Sequence, residues 1–388
     1  MERRIFLGAA VLGLSSCARH RAAVAPTPPA PVGISKLMPV LAQVDRMFRV
    51  TVCLRPFRAA GPRLDVEKVG DKTVVHNYGH GGSGWSLSWG SSGVAVEKAM
   101  AAGERDVAVI GCGALGLTSG ILLQQAGAKV TIYAKERPHE TRSARATGTW
   151  SPDSRIALTT AVTSDFPALW EKMCRKSFQT YGTYLGMAGN PVEWTDRYIL
   201  WDDSPVQRQA SQPDIGQLPF AHYGQRVADL NPRFHELSPG SHPFPTRNAR
   251  WSSSLTFNIA SYSRQLVHDF LVEGGRIEAL EFHSPNELIR LPQKVVINAT
   301  GYGARTFWKD ESIVPVRGQI AWLIPQFDVN YGVFYKGIQI LARRDGIAVQ
   351  DSGMSEMDGY NDANEQPDRK KAEADVRVAA ELFTRMRS

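Results

Sequence analysis

The sequence predicts a mixed α/β protein, built around a strand–turn–helix unit with further strands after it. Three observations carry this expectation. VAVIGCGALG at 107–116 runs an apolar, β-branched segment into Gly111, Gly113 and Gly116, and a helical pattern follows through Leu117, Ile121 and Leu122. KVTIYA at 129–134 supplies the next strand of a βαβ unit. KVVIN at 294–298 reads as a buried strand, and further strands follow near 319–324, 333–341 and 346–350. In a turn of this kind the first glycine permits the bend, the second lets a pyrophosphate approach the backbone, and the third lets helix pack on strand. The helix N-terminus then offers unpaired N–H groups and partial positive charge to phosphate.

The remaining elements follow in chain order. Residues 1–17 (MERRIFLGAAVLGLSSC) read as a targeting segment, with Arg3–Arg4 resembling a twin-arginine signal and Leu14-Ser15-Ser16-Cys17 resembling a lipobox that places lipid on Cys17. A plain cleaved signal is the alternative. The apolar run 5–14 is too short to span a bilayer. Residues 18–35 are a Pro/Ala-rich tether. An apolar helical pattern occupies 36–50, a strand 50–54, and a short strand 73–75. The stretch 76–90, HNYGHGGSGWSLSWG, holds five glycines and is expected to be a loop, with a helix over 91–102 after it. Helices are expected over 164–186, 258–273 and 368–387, and strands over 191–200 and 276–283, while 203–250 is Pro-rich and irregular. The layout is then a segment 36–103, a βαβ core 104–160, a mainly second-domain region 161–293, a core strand and loop 294–312, second-domain strands 313–366, and a terminal helix 367–388.

Composition narrows the function. The chain has 388 residues, 43% hydrophobic and 21% charged, which suits two intertwined domains with a sizeable core. The formal charge of +7 comes largely from scattered arginines, with no basic block interleaved with aromatics, so the reading excludes nucleic acid and favours an anionic cofactor or substrate. Beyond Cys17 only Cys53, Cys112 and Cys174 remain, which makes neither a disulfide framework nor a metal site. His76 and His80 lack a third ligand and read as hydrogen-bonded loop histidines. No Ser/His/Asp grouping or carboxylate pair stands out.

Four stretches together resemble the D-amino-acid oxidase family of FAD enzymes: VAVIGCGALG, GTWSP at 148–152, VVINATGYGAR at 295–305 with PVRGQ at 315–319, and RPFRAAGPRL…HNYGHGGSGWSLSWG over 55–90. The resemblance implies a Rossmann-like FAD-binding domain with an interleaved antiparallel-sheet substrate domain. In that family the HNYGHGG segment closes the chain, whereas here it precedes the βαβ unit, so the chain resembles a circular permutant whose terminal helix meets the 36–55 segment in space.

The resemblance also assigns roles. Gly111, Gly113 and Gly116 match the pyrophosphate turn. Arg142, Ser143, Thr147, Gly148 and Thr149 match cofactor-contacting positions, and Thr300 and Gly301 match the wall beside the cofactor. Gly81, Gly82, Ser83, Gly84, Trp85 and Ser86 match a loop whose N–H groups stabilise the flavin's pyrimidine side. Glu136 follows the second strand and is the candidate for the ribose hydroxyls, although the matching position is Lys135, which favours an extra phosphate. Arg55 matches the arginine that binds the substrate carboxylate, a role suited to a planar guanidinium. Gly82 matches the carbonyl that receives the substrate amine. Tyr335, with Tyr331 second, is the candidate tyrosine of the substrate site, and the family's second tyrosine is replaced near Gln339. Arg343 or Arg344 would add positive charge that favours acidic substrates, with a solvated surface charge as the blander reading of each.

The implied reaction passes the Cα–H of a D-amino acid to flavin N5 as hydride. The imine then hydrolyses to a 2-oxo acid and ammonia, and dioxygen reoxidises the flavin to give hydrogen peroxide. A quinone-linked dehydrogenase or a glycine-type amine oxidase is the nearest alternative. A non-catalytic flavin-binding lipoprotein is the alternative from another class. The expected location is the periplasmic side, with the membrane met only through the lipid on Cys17.

Overall fold

The computed structural model describes residues 36–202, 217–353 and 355–387. The targeting segment, the tether and residues 203–216 lie outside the described residues.

Two sheets organise the chain. The first contains β2 (Val66–Val69), β3 (Lys72–His76), β4 (Asp106–Ile110), β5 (Lys129–Ala134), β9 (Arg276–Ala279) and β10 (Val295–Asn298), in the order β2–β3–β10–β4–β5–β9. All of its pairs are parallel except the β2–β3 edge. Strands buried on both faces read as continuous apolar runs, and all four residues of β10 are buried. Val107, Val109 and Ile297 face one side, where α1 (Gly84–Met100) and α2 (Ala114–Gln125) pack. Ala108, Ile110 and Val296 face the other, beneath Leu288 and Phe307. Helices α3 (Phe166–Gly182) and α4 (Ile259–Val272) pack on α1 and α2 respectively, so residues 161–293 thicken this layer as well as supplying strands to the other.

The second sheet has eight strands: β1 (Met47–Arg58), β6 (Val192–Trp201), β7 (His235–Leu237), β8 (Asn248–Phe257), β11 (Ile313–Leu323), β12 (Tyr331–Tyr335), β13 (Ile338–Arg343) and β14 (Gly346–Asp351). They lie in the order β1–β11–β14–β13–β12–β6–β8–β7, antiparallel except for the β12–β6 pair. Helix α5 (Arg369–Thr384) covers one face of it. Asp368 caps α5 by accepting from the Lys371 N–H at 3.0 Å. Ala372, Val376, Ala379, Leu382 and Phe383 recur at helical spacing and bury against Val333, Ile340, Ile347 and Val349. Each large member of that cluster contributes roughly 1.5–3 kcal/mol of transfer free energy. Val40, Ala42 and Met47 join the same cluster, so the 36–47 segment does meet the terminal helix.

Three expectations need correction. The 36–50 stretch is not a helix: a single 3₁₀ turn, Val44–Arg46, leads straight into β1. The long pairing of β1 with β11, from Met47↔Leu323 to Arg58↔Ile313, overrides the local periodicity. As an edge strand, β1 also tolerates Pro56. The glycine-rich stretch is not loop to its end, because α1 starts at Gly84 and runs through Gly90. A Cβ on Gly90 would sit 2.0 Å from the Met173 carbonyl oxygen, so this glycine serves the close approach of α3. The strand expected over 276–283 ends at Ala279. No helix among the described residues is long and apolar enough to cross a membrane.

Candidate active site

A cavity of about 1440 Å³ is lined by both sheets. On the first-sheet side the turn after β4 enters it. Gly111 has φ +102°, and a Cβ there would lie 2.7 Å from the Ala299 carbonyl oxygen. A Cβ on Gly113 would lie 2.8 Å from Ser143 Oγ, which itself accepts the Ala114 N–H at 3.1 Å. Gly111, Gly113 and Ser143 line the cavity, whereas Gly116 does not. Its Cβ would fall 1.9 Å from the Gly111 carbonyl oxygen, so Gly116 serves the packing of α2 on the turn. Cys112 is buried, donates to the Glu136 carbonyl at 3.0 Å, and has its thiol pushed up to about 12, first by burial and then by the Glu136 charge.

The 81–86 segment divides in two. The N–H groups of Gly81, Gly82 and Ser83 are already used, donating to the carbonyls of Pro56, Ser154 and His80 at 2.8–2.9 Å. Gly84, Trp85 and Ser86 are the first residues of α1, where amides lack intrahelical acceptors. Gly81, Gly82, Gly84 and Trp85 line the cavity; Ser83 and Ser86 do not. Ser83 Oγ donates to the Ser154 carbonyl and Ser86 Oγ accepts the Ser151 N–H. The six-residue donor loop expected from the sequence is therefore a helix N-terminus, with Gly81–Ser83 as its brace. Trp85 Nε1 donates to the Ser143 carbonyl at 2.9 Å, tying the two turns together.

Buried polar contacts hold HNYGH in place. Asn77 Nδ2 donates to Ser92 and Ser119, its Oδ1 accepts from Ser91, and Ser91 Oγ also meets His80 Nε2 at 2.6 Å. His76 meets Glu67 Oε2 at 3.1 Å through Nε2 and Asn298 through Nδ1.

Arg142, Thr147, Gly148, Thr149, Thr300 and Gly301 all line the cavity. Arg142 pairs with Glu365 and sits 5.1 Å from the Tyr302 ring centre. Gly148 has φ +89°, and a Cβ there would lie 2.3 Å from the Phe257 carbonyl oxygen. Thr149 Oγ1 accepts from Gln339 Nε2 at 3.0 Å, and Thr147 bonds Gln350. Lys135 turns to Glu281 at 3.3 Å. Glu136 lines the cavity and forms no ion pair with a described residue.

From the second sheet comes Arg55, on β1, lining the same cavity as Gly82, Thr300 and Gly301. Its Nη1 donates to the Arg317 carbonyl at 3.3 Å, and the guanidinium lies flat against Gly318, whose Cβ would be 2.4 Å from Nη2. Burial holds it below the ordinary arginine value. No described carboxylate stands within ion-pair distance.

Tyr335 is not in the site. Tyr331, Val333 and Tyr335 alternate onto the face of β12 that lies in the core with α5, and Tyr331 donates to the Met38 carbonyl at 2.7 Å. On neighbouring β13 it is Gln339, of the opposite parity, that reaches the cavity. Arg343 is no solvated charge either: it is buried, pairs with Asp345, and donates to the Ala146 and Thr147 carbonyls. Arg344 is half exposed and reaches Glu193 at 3.4 Å. The residue that sequence reasoning missed is Arg155, which lines the cavity from the loop after GTWSP. Nothing in its local pattern distinguishes it from the chain's other arginines.

The chemistry of this lining fits an anionic dinucleotide. Glycine cradles at 111 and 113 leave no room for side chains, the N-termini of α1 and α2 both open on the cavity, and arginines surround it. The fold and site define a dinucleotide-dependent α/β enzyme. The DAO family model, described as FAD dependent oxidoreductase, matches residues 106–387, and the chain belongs to this family of oxidoreductases, with FAD as cofactor. The chain is 27% identical over 212 residues to a D-amino-acid oxidase of Rubrobacter xylanophilus, covering 55% of this chain and 57% of that protein. It is 42% identical over 254 residues to a D-aspartate oxidase of Talaromyces thermophilus, covering 57% and 62%. The chain thus spans less than two thirds of these relatives' length. The structure of glycine oxidase from Bacillus cereus shares the fold, with a TM-score of 0.50 at 14% identity over 72% of this chain and 78% of that one.

Proposed function

We propose that the protein oxidatively deaminates D-amino acids, yielding a 2-oxo acid, ammonia and hydrogen peroxide. The observation that carries this reading is the placement of Arg55, a guanidinium without a carboxylate partner among the described residues, in one cavity with both glycine turns. When bound, the flavin would supply the hydride acceptor. Arg55 would fix the substrate carboxylate by a charge-assisted, bidentate pair. The Gly82 carbonyl would accept from the amine, leaving Cα–H turned to the cofactor side. Gly111 and Gly113 would admit the pyrophosphate, and the N–H groups of Gly84 and Trp85 would favour negative charge on the reduced ring. Thr300, Gly301 and the Thr147–Thr149 stretch would wall the cofactor, with Ser143 and Arg142 at its phosphates and Glu136 at its ribose. Orientation and electrostatics suffice for a hydride transfer, so no side-chain base is assigned.

The reading also includes a circular permutation, supported by the motif order, by the packing of residues 40–47 with α5, and by the family match that begins at residue 106. Dioxygen as acceptor, export and lipidation at Cys17 belong to the same proposal. The deciding measurement is the flavin absorption spectrum before and after anaerobic addition of D- and L-amino acids, followed by peroxide release in air. Bleaching by D-isomers and peroxide formation are expected. Bleaching only by glycine, secondary amines or L-isomers would reject the reading. A reduced flavin slow with dioxygen but fast with a quinone would replace the acceptor.

A further inference from the structure

We infer that Arg155 is the receptor for a second carboxylate, so that the site takes D-amino acids with an acidic side chain. This rests on the proposed function and assigns the substrate class of the same cavity.

The argument starts from charge pairing. The cavity wall carries several cations besides Arg55 and Arg155, and most are already paired: Arg142 and Arg145 with Glu365, Lys135 with Glu281, Lys371 with Asp351, and Arg317 with Asp362. Arg55 and Arg155 have no carboxylate within ion-pair distance among the described residues. The nearby acids are otherwise engaged: Glu356 meets His222 at 3.1 Å, and Asp358 accepts the Ser355 N–H at 3.1 Å.

Arg155 is also held in place. Its Nε donates to the Glu356 carbonyl at 2.7 Å and its Nη2 to the Ser355 carbonyl at 3.5 Å. These neutral acceptors orient the guanidinium without cancelling its charge, and Nη1 makes no hydrogen bond with a described residue. The backbone sits at φ +48°, a conformation that non-glycine residues adopt only where the surroundings impose it. Its carbonyl oxygen would lie 1.9 Å from a Cβ on Gly81, and Ser154 accepts the Gly82 N–H, so Arg155 is anchored directly to the segment that receives the amine.

Burial and then the Arg55 charge hold Arg155 below its ordinary value, against the pull of Glu356 and Asp358. A substrate with one carboxylate and an apolar side chain would satisfy Arg55 and leave Arg155 half-buried and unpaired. A dicarboxylate with an amine between its acid groups would neutralise both.

The test uses the flavin-loaded full chain with D-aspartate and its near-isosteric neutral analogue D-asparagine. The kcat/KM ratio should favour D-aspartate. Arg155→Asn, which tolerates the left-handed backbone, should lower that ratio roughly 10- to 150-fold, the range for a lost hydrogen bond to a charged group. Arg155→Lys should restore part of it. Independently, malonate should perturb the wild-type flavin spectrum at a concentration at least tenfold below acetate. D-asparagine turned over as well as D-aspartate, malonate no tighter than acetate, or a ratio unmoved by Arg155→Asn would overturn the inference. Bleaching by neutral D-amino acids alone would sink it and leave the proposed function standing. Bleaching by no D-amino acid would sink both.

Discussion

Gly318 controls Arg55 without touching substrate. It lies on β11 opposite Cys53, and no left-handed backbone is needed there, so alanine fits the strand. A Cβ would meet Nη2, Nη1 and Cζ of Arg55 at 2.4, 2.6 and 2.7 Å, against an ordinary contact of 3.4–4 Å. The guanidinium must therefore retreat by about 1 Å, which the flexible end of an arginine does cheaply. Stability should change by less than about 1 kcal/mol, since alanine also lowers the entropy of the unfolded chain. Catalysis should suffer far more, because a displacement of this size costs on the order of 100-fold, or about 2.7 kcal/mol of barrier. The assay is kcat/KM for a D-amino acid in Gly318→Ala, with the melting temperature and bound flavin measured on the same sample. In an Arg55→Met background the alanine should cost nothing further, because it acts only through Arg55. A folded, flavin-replete Gly318→Ala enzyme within threefold of wild-type kcat/KM would refute the placement of Arg55 as the carboxylate clamp.

Gly116→Ala sets a Cβ against the Gly111 carbonyl oxygen, backbone on backbone, and should cost on the order of 3 kcal/mol together with most of the bound FAD, read by thermal melts and the flavin-to-protein absorbance ratio. Trp170 is fully buried and donates to the Pro152 carbonyl at 2.8 Å; Trp170→Ala should lower stability by about 3–5 kcal/mol in urea titrations. Burial, with a smaller effect of Arg58, depresses the His80 pKa to about 3, so between that value and about 6.5 the unfolded chain binds a proton that the folded chain refuses. This contribution to stability is complete above about pH 6.5 and lost as pH falls toward 3, roughly 2 kcal/mol by pH 5. His80→Gln should shrink the difference between urea midpoints at pH 5 and 7.5, and an unchanged difference would show that His80 is not the group responsible.

Local chemistry made much of this protein legible in one dimension. A glycine turn between an apolar strand and a helix is specified within ten residues, and the structure places Gly111 and Gly113 on the cavity and Gly116 behind it. The apolar period of residues 369–384 likewise foretold a helix with one buried face. Other features are properties of pairing. That the chain enters a strand at Met47 depends on β11, more than 250 residues away in the chain. Gly90 is a glycine inside a helix because neighbouring α3 needs the space at Met173. Tyr335 is in the core because strand parity, set by its partners, sends it toward α5 and Gln339 toward the cavity. Arg155 stands beside Gly81 because tertiary contacts hold its backbone in a conformation its own side chain disfavours. By itself the sequence settled the cofactor turn, the alternation of the strands and the charge available to an anionic ligand, all of which depend on neighbours a few residues apart. Only the tertiary structure decided which arginines, among so many, are left without a carboxylate, because neutralisation depends on distances between residues that the chain order keeps far apart.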